Sequence, residues 1–421
     1  MDNHLVFRIS KRSFSYLITS FIVVIAVSGS SEENFSEHTL NAYIKHAVEQ
    51  NPELVARRHL VESDKQNIAT TTKMPDPTLN SSLSLLKDGF WLENVSINQS
   101  IPWPGRFKSD RKAAEAVYGA SQAMQKDLET DIVFKVRSAY GKIYTMSGMA
   151  SLQKESLALL KRAEASALSE YSTSMQSSAS VLKLQLEIAV VQDRIRQFEV
   201  EANIARDELA GLLDTVSTVI PDPTTFPELI VPQKVDEAQQ IAMNMNPAVN
   251  AAELEVEEMH QKVNSAKAMY IPDLMVGLEY TPPSSMSRVK NPTGFMVMAG
   301  VTLPVWPWSR SADVKMSQSM EEYKKKSVEA EKKKLAAEAS VFFREYYDAV
   351  RQVTLLDSVL LPKAVQTMRV VDDAYRSSRA TLMDFIDSQR MLLDLKMQRL
   401  EQVERRERMA GEIVICCLAM Y

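Results

Sequence analysis

Gln99-Ser100-Ile101-Pro102-Trp103-Pro104-Gly105-Arg106 joins two kinds of sequence, and Leu303-Pro304-Val305-Trp306-Pro307-Trp308-Ser309-Arg310 does the same in the second half of the chain. Upstream of each, apolar and polar residues alternate with a period of two, the signature of a strand. Val95, Ile97 and Ile101 share one side of the first strand, with Ser96, Asn98 and Ser100 opposite. Phe295, Val297, Ala299, Val301 and Leu303 share one side of the second. Leu79, Leu83 and Leu85 form an earlier set, and Leu274, Val276, Leu278 and Tyr280 another. The pattern predicts four strands in two hairpins, over about 79–101 and 274–303. The first hairpin would turn at Lys87-Asp88-Gly89-Phe90. The second would use a loop at 281–293 that contains Pro282, Pro283 and Pro292.

Downstream of each junction the sequence is helical. Residues 106–172 are rich in Ala, Glu, Lys, Gln, Leu and Met, interrupted only by Gly119, Gly141 and Gly148. At a rise of about 1.5 Å per residue such a helix reaches roughly 100 Å. The stretch 310–376 reads alike, with Pro362 as a point for a kink. Shorter return helices are predicted at about 178–211 and 380–418. The runs Glu321-Glu322-Tyr323-Lys324-Lys325-Lys326 and Glu331-Lys332-Lys333-Lys334 read as solvated helix face.

These parts occur twice. Asn51-Pro52-Glu53-Leu54 is answered by Asn246-Pro247-Ala248-Val249, and Met74-Pro75-Asp76-Pro77-Thr78-Leu79 by Tyr270-Ile271-Pro272-Asp273-Leu274. Tyr171 is answered by Tyr375, and Gln185 by Gln389; Arg106 to Tyr171 and Arg310 to Tyr375 are each 65 residues. That shared spacing implies an internal duplication. The repeats are 29–211 and 234–421, with a linker at 212–233 carrying Pro221, Pro223, Pro227 and Pro232.

Composition narrows the function. The 421 residues include only 11 glycines, so a chain of many turns is disfavoured. No Gly-rich phosphate loop is present. With 49 Lys+Arg against 54 Asp+Glu, the net charge of −5 gives no reason to expect nucleic acid as a partner. Neither the five histidines nor the adjacent Cys416 and Cys417 have metal-ligand spacing, and no nucleophile–base set is visible. The chain therefore reads as no enzyme, with no cofactor and no metal centre. At the N-terminus, Arg8, Lys11 and Arg12 precede the apolar stretch Tyr16–Val27 and the small residues Ser28-Gly29-Ser30-Ser31. This is the pattern of a secretory signal peptide, 1–28, cut near Ala26-Val27-Ser28.

Taken alone, the alternating strands fit either a half-exposed sheet or a membrane β-barrel, whose outward residues face lipid. Two hairpins cannot close a barrel, so the barrel alternative requires several copies of the chain.

The combination of export signal, duplication, two hairpins and two very long helices resembles the TolC outer-membrane efflux family. The match spans about 36–415. It rests on the Asn-Pro openings, Pro75-Asp76-Pro77, the stretch 99–106, and Ala374-Tyr375-Arg376-Ser377-Ser378-Arg379-Ala380-Thr381-Leu382-Met383-Asp384-Phe385-Ile386-Asp387-Ser388-Gln389. The resemblance implies a mainly α chain with a membrane β-barrel portion. It implies a homotrimer whose four strands per chain make one twelve-stranded barrel, above an α-helical periplasmic tunnel. It also implies an exit duct of a tripartite efflux system, in the outer membrane, partnered by a periplasmic adaptor (membrane fusion protein) and an inner-membrane pump. The Pro-Asp-Pro and Ile-Pro-Trp-Pro-Gly elements are most similar to members that serve heavy-metal exporters of the resistance-nodulation-division type; multidrug efflux and protein secretion are the other substrate classes.

Residue by residue, the resemblance implies a channel constriction at Asp384 and Asp387. It implies a tip latch and adaptor-docking region at Tyr171, Ser174, Met175, Tyr375, Ser378 and Arg379. Lipid-facing barrel residues would be Val95, Ile97, Leu274, Val276, Leu278, Phe295, Val297 and Val301. Ser174 and Ser378 stand where the family usually has glycine. Ala179 and Ala380 stand where some members carry polar or basic latch residues, which implies a weaker or differently built closed state. The competing expectation is a periplasmic coiled-coil adaptor or scaffold, which accounts for the helices but poorly for the duplicated hairpins.

Overall fold

A computed structural model describes residues 39–86, 89–172, 178–217, 220–223, 225–282, 294–303, 305–377 and 379–417. The expected signal peptide lies outside them. The first half runs α1 (Leu40–Gln50), α2 (Pro52–Thr71), β1 (Thr78–Leu86), β2 (Gly89–Ile101), α3 (Pro104–Ser172) and α4 (Ser178–Leu213). The second runs α5 (Val235–Met245), α6 (Pro247–Ala268), β3 (Leu274–Thr281), β4 (Gly294–Val301), α7 (Pro307–Leu355), a π-helical turn (Leu356–Leu360), α8 (Leu361–Arg376) and α9 (Leu382–Cys417). The same succession of elements thus occurs in each half. The 69 residues of α3 extend about 100 Å.

Three details differ from the sequence expectation. Gly89 and Phe90 do not form the first turn; they belong to β2, where they pair with Leu86 and Leu85. Lys87, Asp88 and the loop residues 283–293 lie outside the described residues. The second long helix is not simply kinked at Pro362. Proline has no N–H and its ring crowds the carbonyl four residues earlier. The helix accommodates it with a π turn, in which the Leu361 N–H reaches back to the Leu356 carbonyl.

The Asn-Pro landmarks are helix junctions rather than helix interiors. The Asn51 side-chain oxygen accepts from the N–H groups of Glu53 (3.0 Å) and Leu54 (3.4 Å). That of Asn246 accepts from Ala248 (2.8 Å) and Val249 (3.3 Å). Each asparagine caps a helix whose first residue is proline, a position where a missing N–H is harmless. Both are buried. Asn51 Nδ2 also donates to the Leu212 carbonyl at 3.0 Å, and a His46 ring nitrogen lies 3.1 Å from that of Leu213, so the end of α4 is satisfied by the α1–α2 junction. Asp214 follows in the left-handed region, φ 51°, as the Thr215 N–H closes on the Ala210 carbonyl at 3.0 Å.

The proline-rich segment between Leu213 and Val235 is fastened to α3 and α9. Arg137 Nη2 donates to Glu407 Oε2 at 2.8 Å and to the Pro227 carbonyl, with its guanidinium 5.0 Å from the Phe226 ring centroid. Arg137 and Glu407 are both buried. Tyr140 donates to the Thr225 carbonyl at 3.2 Å, and Asp222 accepts from Ser147 at 2.6 Å and from Arg206.

The charged runs of α7 are not wholly solvated. Lys324 binds Glu255 at 2.6 Å, Lys332 binds Glu253 at 2.5 Å and Glu321 meets His260 at 3.2 Å. These pairs bridge α7 to α6.

Candidate functional site: helix tip and sheet faces

Two regions carry the candidate functional residues. At one, α3, α4, α8 and α9 converge around the helix turns. Leu160, Ala163 and Ala167 of α3, Val181, Leu184, Ile188 and Val191 of α4, and Leu382, Phe385 and Ile386 of α9 form one buried cluster. Tyr375 joins it, its ring 5.4 Å from that of Phe385. The chain leaves α8 through Ser377, and the N–H groups of Arg379 (2.8 Å) and Ala380 (3.2 Å) both reach the Ala374 carbonyl. Arg379 is exposed. Tyr171 sits in the last turn of α3. Ser174, Met175 and Ser378 lie outside the described residues.

Asp384 has a role the spacing argument missed. The Thr381 hydroxyl accepts from the Asp384 N–H at 3.2 Å, while Asp384 Oδ2 accepts from the Thr381 N–H at 2.9 Å and its hydroxyl at 2.7 Å. This reciprocal arrangement is a capping box at the start of α9. The Thr381 hydroxyl, and after it the Thr381 N–H, hold the Asp384 carboxyl below its ordinary range. The signature Thr381-Leu382-Met383-Asp384 was open to reading from the sequence. Asp387, one turn on, is also exposed, and its charge acts on Arg390.

Sequence reasoning also missed a cross-repeat pair. Arg390 of α9 grips Glu187 of α4 with both prongs, Nε to Oε1 at 2.9 Å and Nη2 to Oε2. The hydrogen bond from Arg390 draws the Glu187 carboxyl below its ordinary range against the opposing effect of burial. Gln389, the residue matched to Gln185, donates to Ser156 of α3 at 3.3 Å in a buried position. Nothing local marks partners more than 200 residues apart.

At the other region, β1 to β4 form one antiparallel sheet in that order, β2 of the first half pairing with β3 of the second. One row reads Leu79, Ile97, Leu278, Val297 across the strands, and the next on that face ends Val95, Tyr280, Phe295. Val276 and the row Ile101, Leu274, Val301 continue it. All eight expected lipid-facing residues therefore share one face. Leu79, Phe295 and Val297 are about three-quarters exposed, at 73%, 75% and 75%. The opposite face carries Asn80, Asn94, Ser96, Asn98, Glu279, Met296 and Met298. Asn94 donates to Glu279 at 3.0 Å, and Asn98 to Ser96 at 3.3 Å. The Asn98 carboxamide occupies the space that a side chain at Gly277 would need. No described helix packs across either face.

The halves are tied where strands pass into helices. The Trp103 N–H donates to Asp273 Oδ1 at 2.9 Å, and the Asp273 N–H donates to the Thr302 hydroxyl at 2.9 Å. Trp306 and Trp308 stand exposed beside this junction, edge to face at 5.1 Å.

No protein-family model and no curated protein sequence matches the chain. Solved structures do. The chain is similar to the outer-membrane protein VceC from Vibrio cholerae, with 12% identity, TM-score 0.76, and coverage of 91% of this chain and 97% of that one. It is similar to CusC, with 15% identity, TM-score 0.78 and coverage of 91% and 93%. A third match is the open state of the MtrE outer-membrane channel from Neisseria gonorrhoeae, with 17% identity, TM-score 0.72 and coverage of 90% and 88%. The chain has the fold of a TolC-type outer-membrane channel subunit, mainly helical with a four-stranded antiparallel sheet, in agreement with the resemblance carried by its motifs.

Proposed function

We propose that this chain is the outer-membrane exit duct of a tripartite efflux system. Three copies close one twelve-stranded barrel and align their helices into a periplasmic tunnel. The sheet carries the reading. It presents an uncovered apolar face, an opposite face that mixes polar side chains with methionines, and unpaired edges at β1 and β4, and one chain cannot satisfy them. Lipid against the apolar face and neighbouring copies along the edges would satisfy both. The exposed row Leu182, Leu186, Val190 on α4 offers a second apolar surface to a neighbouring copy. An adaptor or scaffold has no use for such a sheet.

The periplasmic adaptor docks at the tip region of Tyr171, Ser174, Met175, Tyr375, Ser378 and Arg379. A resistance-nodulation-division pump supplies substrate, a heavy metal or a drug. Asp384 and Asp387 ring the constriction, where clustered carboxylates attract cations. The test is fractionation of cells producing the tagged full chain, followed by chemical cross-linking. Recovery in the outer membrane as a trimer supports the reading; a periplasmic monomer overturns it. In planar bilayers, Asp384→Asn with Asp387→Asn should relieve block by multivalent cations, and unchanged block would remove the ring assignment.

A further inference from the structure

We propose that the sheet carries a thioether site for a soft monovalent metal ion, Cu(I) or Ag(I), built from Met275 of β3 and Met298 of β4. The proposal rests on the exit-duct reading, which turns this face of the sheet toward the lumen. Met275 and Gly277 share the face with Ser100 and Asn98 of β2, and Met298 and Gly300 follow on β4. The register sets Met275 directly opposite Gly300, and Gly277 directly opposite Met298. Methionine and glycine thus alternate in a two-by-two block. The methionines stand on its diagonal, a separation of about 7–8 Å that long side chains span.

The glycines explain how the sulfurs can meet. Glycine weakens a strand interior and often marks a place where something must approach closely. The chain has 11 glycines in 421 residues, so two in one small block of sheet call for a reason. Each leaves open the space in front of the methionine across from it. Met298 already leans into that space: its terminal methyl, Cε, lies 3.3 Å from where a side chain at Gly277 would begin. Its thioether therefore reaches from β4 over β3, toward Met275. At Gly300 the nearest atom to the corresponding point is the Met275 Cβ, at 3.9 Å, which leaves the Met275 side chain room to turn the same way.

Packing does not account for these side chains. A methionine that fills a core gap is buried. Met275 is 43% exposed, and Met296, next on the same face of β4, is 57% exposed. A lumen face is served by polar groups, and a thioether in water adds little except a soft donor, which suits Cu(I) rather than hard cations. Among the described residues, no group of three or more His, Cys, Asp or Glu is placed to hold a metal ion within the subunit. One row along the sheet, Glu279 faces Met296 and accepts a hydrogen bond from Asn94 at 3.0 Å. Its carboxylate draws cations to the face, and the Met296 sulfur stands beside Met298 as a further donor. Exposed thioethers without a thiolate bind weakly enough to let an ion leave, as passage requires.

The test uses silver nitrate as the probe, with the full-length trimer in detergent and bound silver measured after equilibrium dialysis. The wild type should retain Ag(I). Met275→Leu with Met298→Leu, which conserves volume and so spares assembly, should lose most of it. Met316→Leu with Met320→Leu, at exposed positions of α7, should retain as much as the wild type. In planar bilayers Ag(I) should lower the conductance of the wild type and leave that of the sheet variant unchanged. Equal silver retention by the wild type and the sheet variant, or an equal loss in the α7 variant, overturns the site. A wild-type trimer that forms no pore before silver is added overturns the exit-duct reading instead, and silver lost with the two methionines would still mark the site on the sheet.

Discussion

Asn51 and Asn246 show how much one side chain can settle. Each stops one helix and starts the next, and each is buried with its oxygen on two backbone N–H groups. Replacement by alanine should cost about 1 kcal/mol at either site. Asn51→Ala should cost more than Asn246→Ala, because Asn51 also holds the Leu212 carbonyl. Urea midpoints of the two variants would rank them. Asp384 gives a pH-dependent case. Its folded carboxyl lies below the ordinary range, so its contribution is complete above the unfolded carboxylate range and is lost as pH falls through the lowered folded value. Asp384→Asn should therefore flatten the loss of stability on acidification, measured by thermal melts between about pH 6 and pH 2. Both motifs were legible, since capping asparagines and boxes are local patterns. Repeat spacing alone makes the Asn-Pro pair a landmark and Asp384 half of an acidic pair; their capping roles show only when the backbone N–H groups they face are in place. Glu187 with Arg390 was not legible at all, because no local rule joins residues of different repeats.

At the scale of elements, glycine makes two opposite predictions. A side chain at Gly141 of α3 would come within 2.7 Å of the Phe226 ring, which is wedged against Tyr140 and Tyr144. Gly141→Ala should destabilise by about 1–3 kcal/mol through overpacking. Gly211 of α4 has nothing within 4 Å of that position. Gly211→Ala should stabilise by about 0.5–1 kcal/mol, since alanine is the better helix former. Calorimetry on the pair would separate packing from propensity. Helix positions were clear in the sequence because composition and landmarks agreed, to within a few residues at each end. The π turn before Pro362 was not, since proline announces a disturbance but not how the ladder absorbs it. The α6–α7 bridges were missed because lysine and glutamate look alike whether they meet water or each other.

For the whole molecule, the decisive fact is the order of four strands in one sheet. Alternation located the strands and divided their faces, and Val95, Ile97, Leu274, Val276, Leu278, Phe295, Val297 and Val301 share one of them. The pairing of β2 with β3 joins segments about 180 residues apart and comes from tertiary structure. Val297→Arg, at the middle of the apolar face, should cost about 2–4 kcal/mol if that face lies at mid-membrane. Loss of the variant from the outer-membrane fraction is the expected result, and normal insertion would mean that β4 does not face lipid.

The bare edges of β1 and β4 bear on how such a chain comes into being. In the proposed trimer each edge finds its mate only on another copy, so a newly made subunit carries two adhesive borders until it meets its siblings. Biogenesis then has a bimolecular step that folding of one chain cannot bypass, and its yield depends on how many subunits are present together. A cell making too few would accumulate solitary subunits for chaperones and proteases to clear, and one making them in a burst would assemble ducts quickly. The supply of siblings, as much as any property of the single chain, would set how many ducts a cell has.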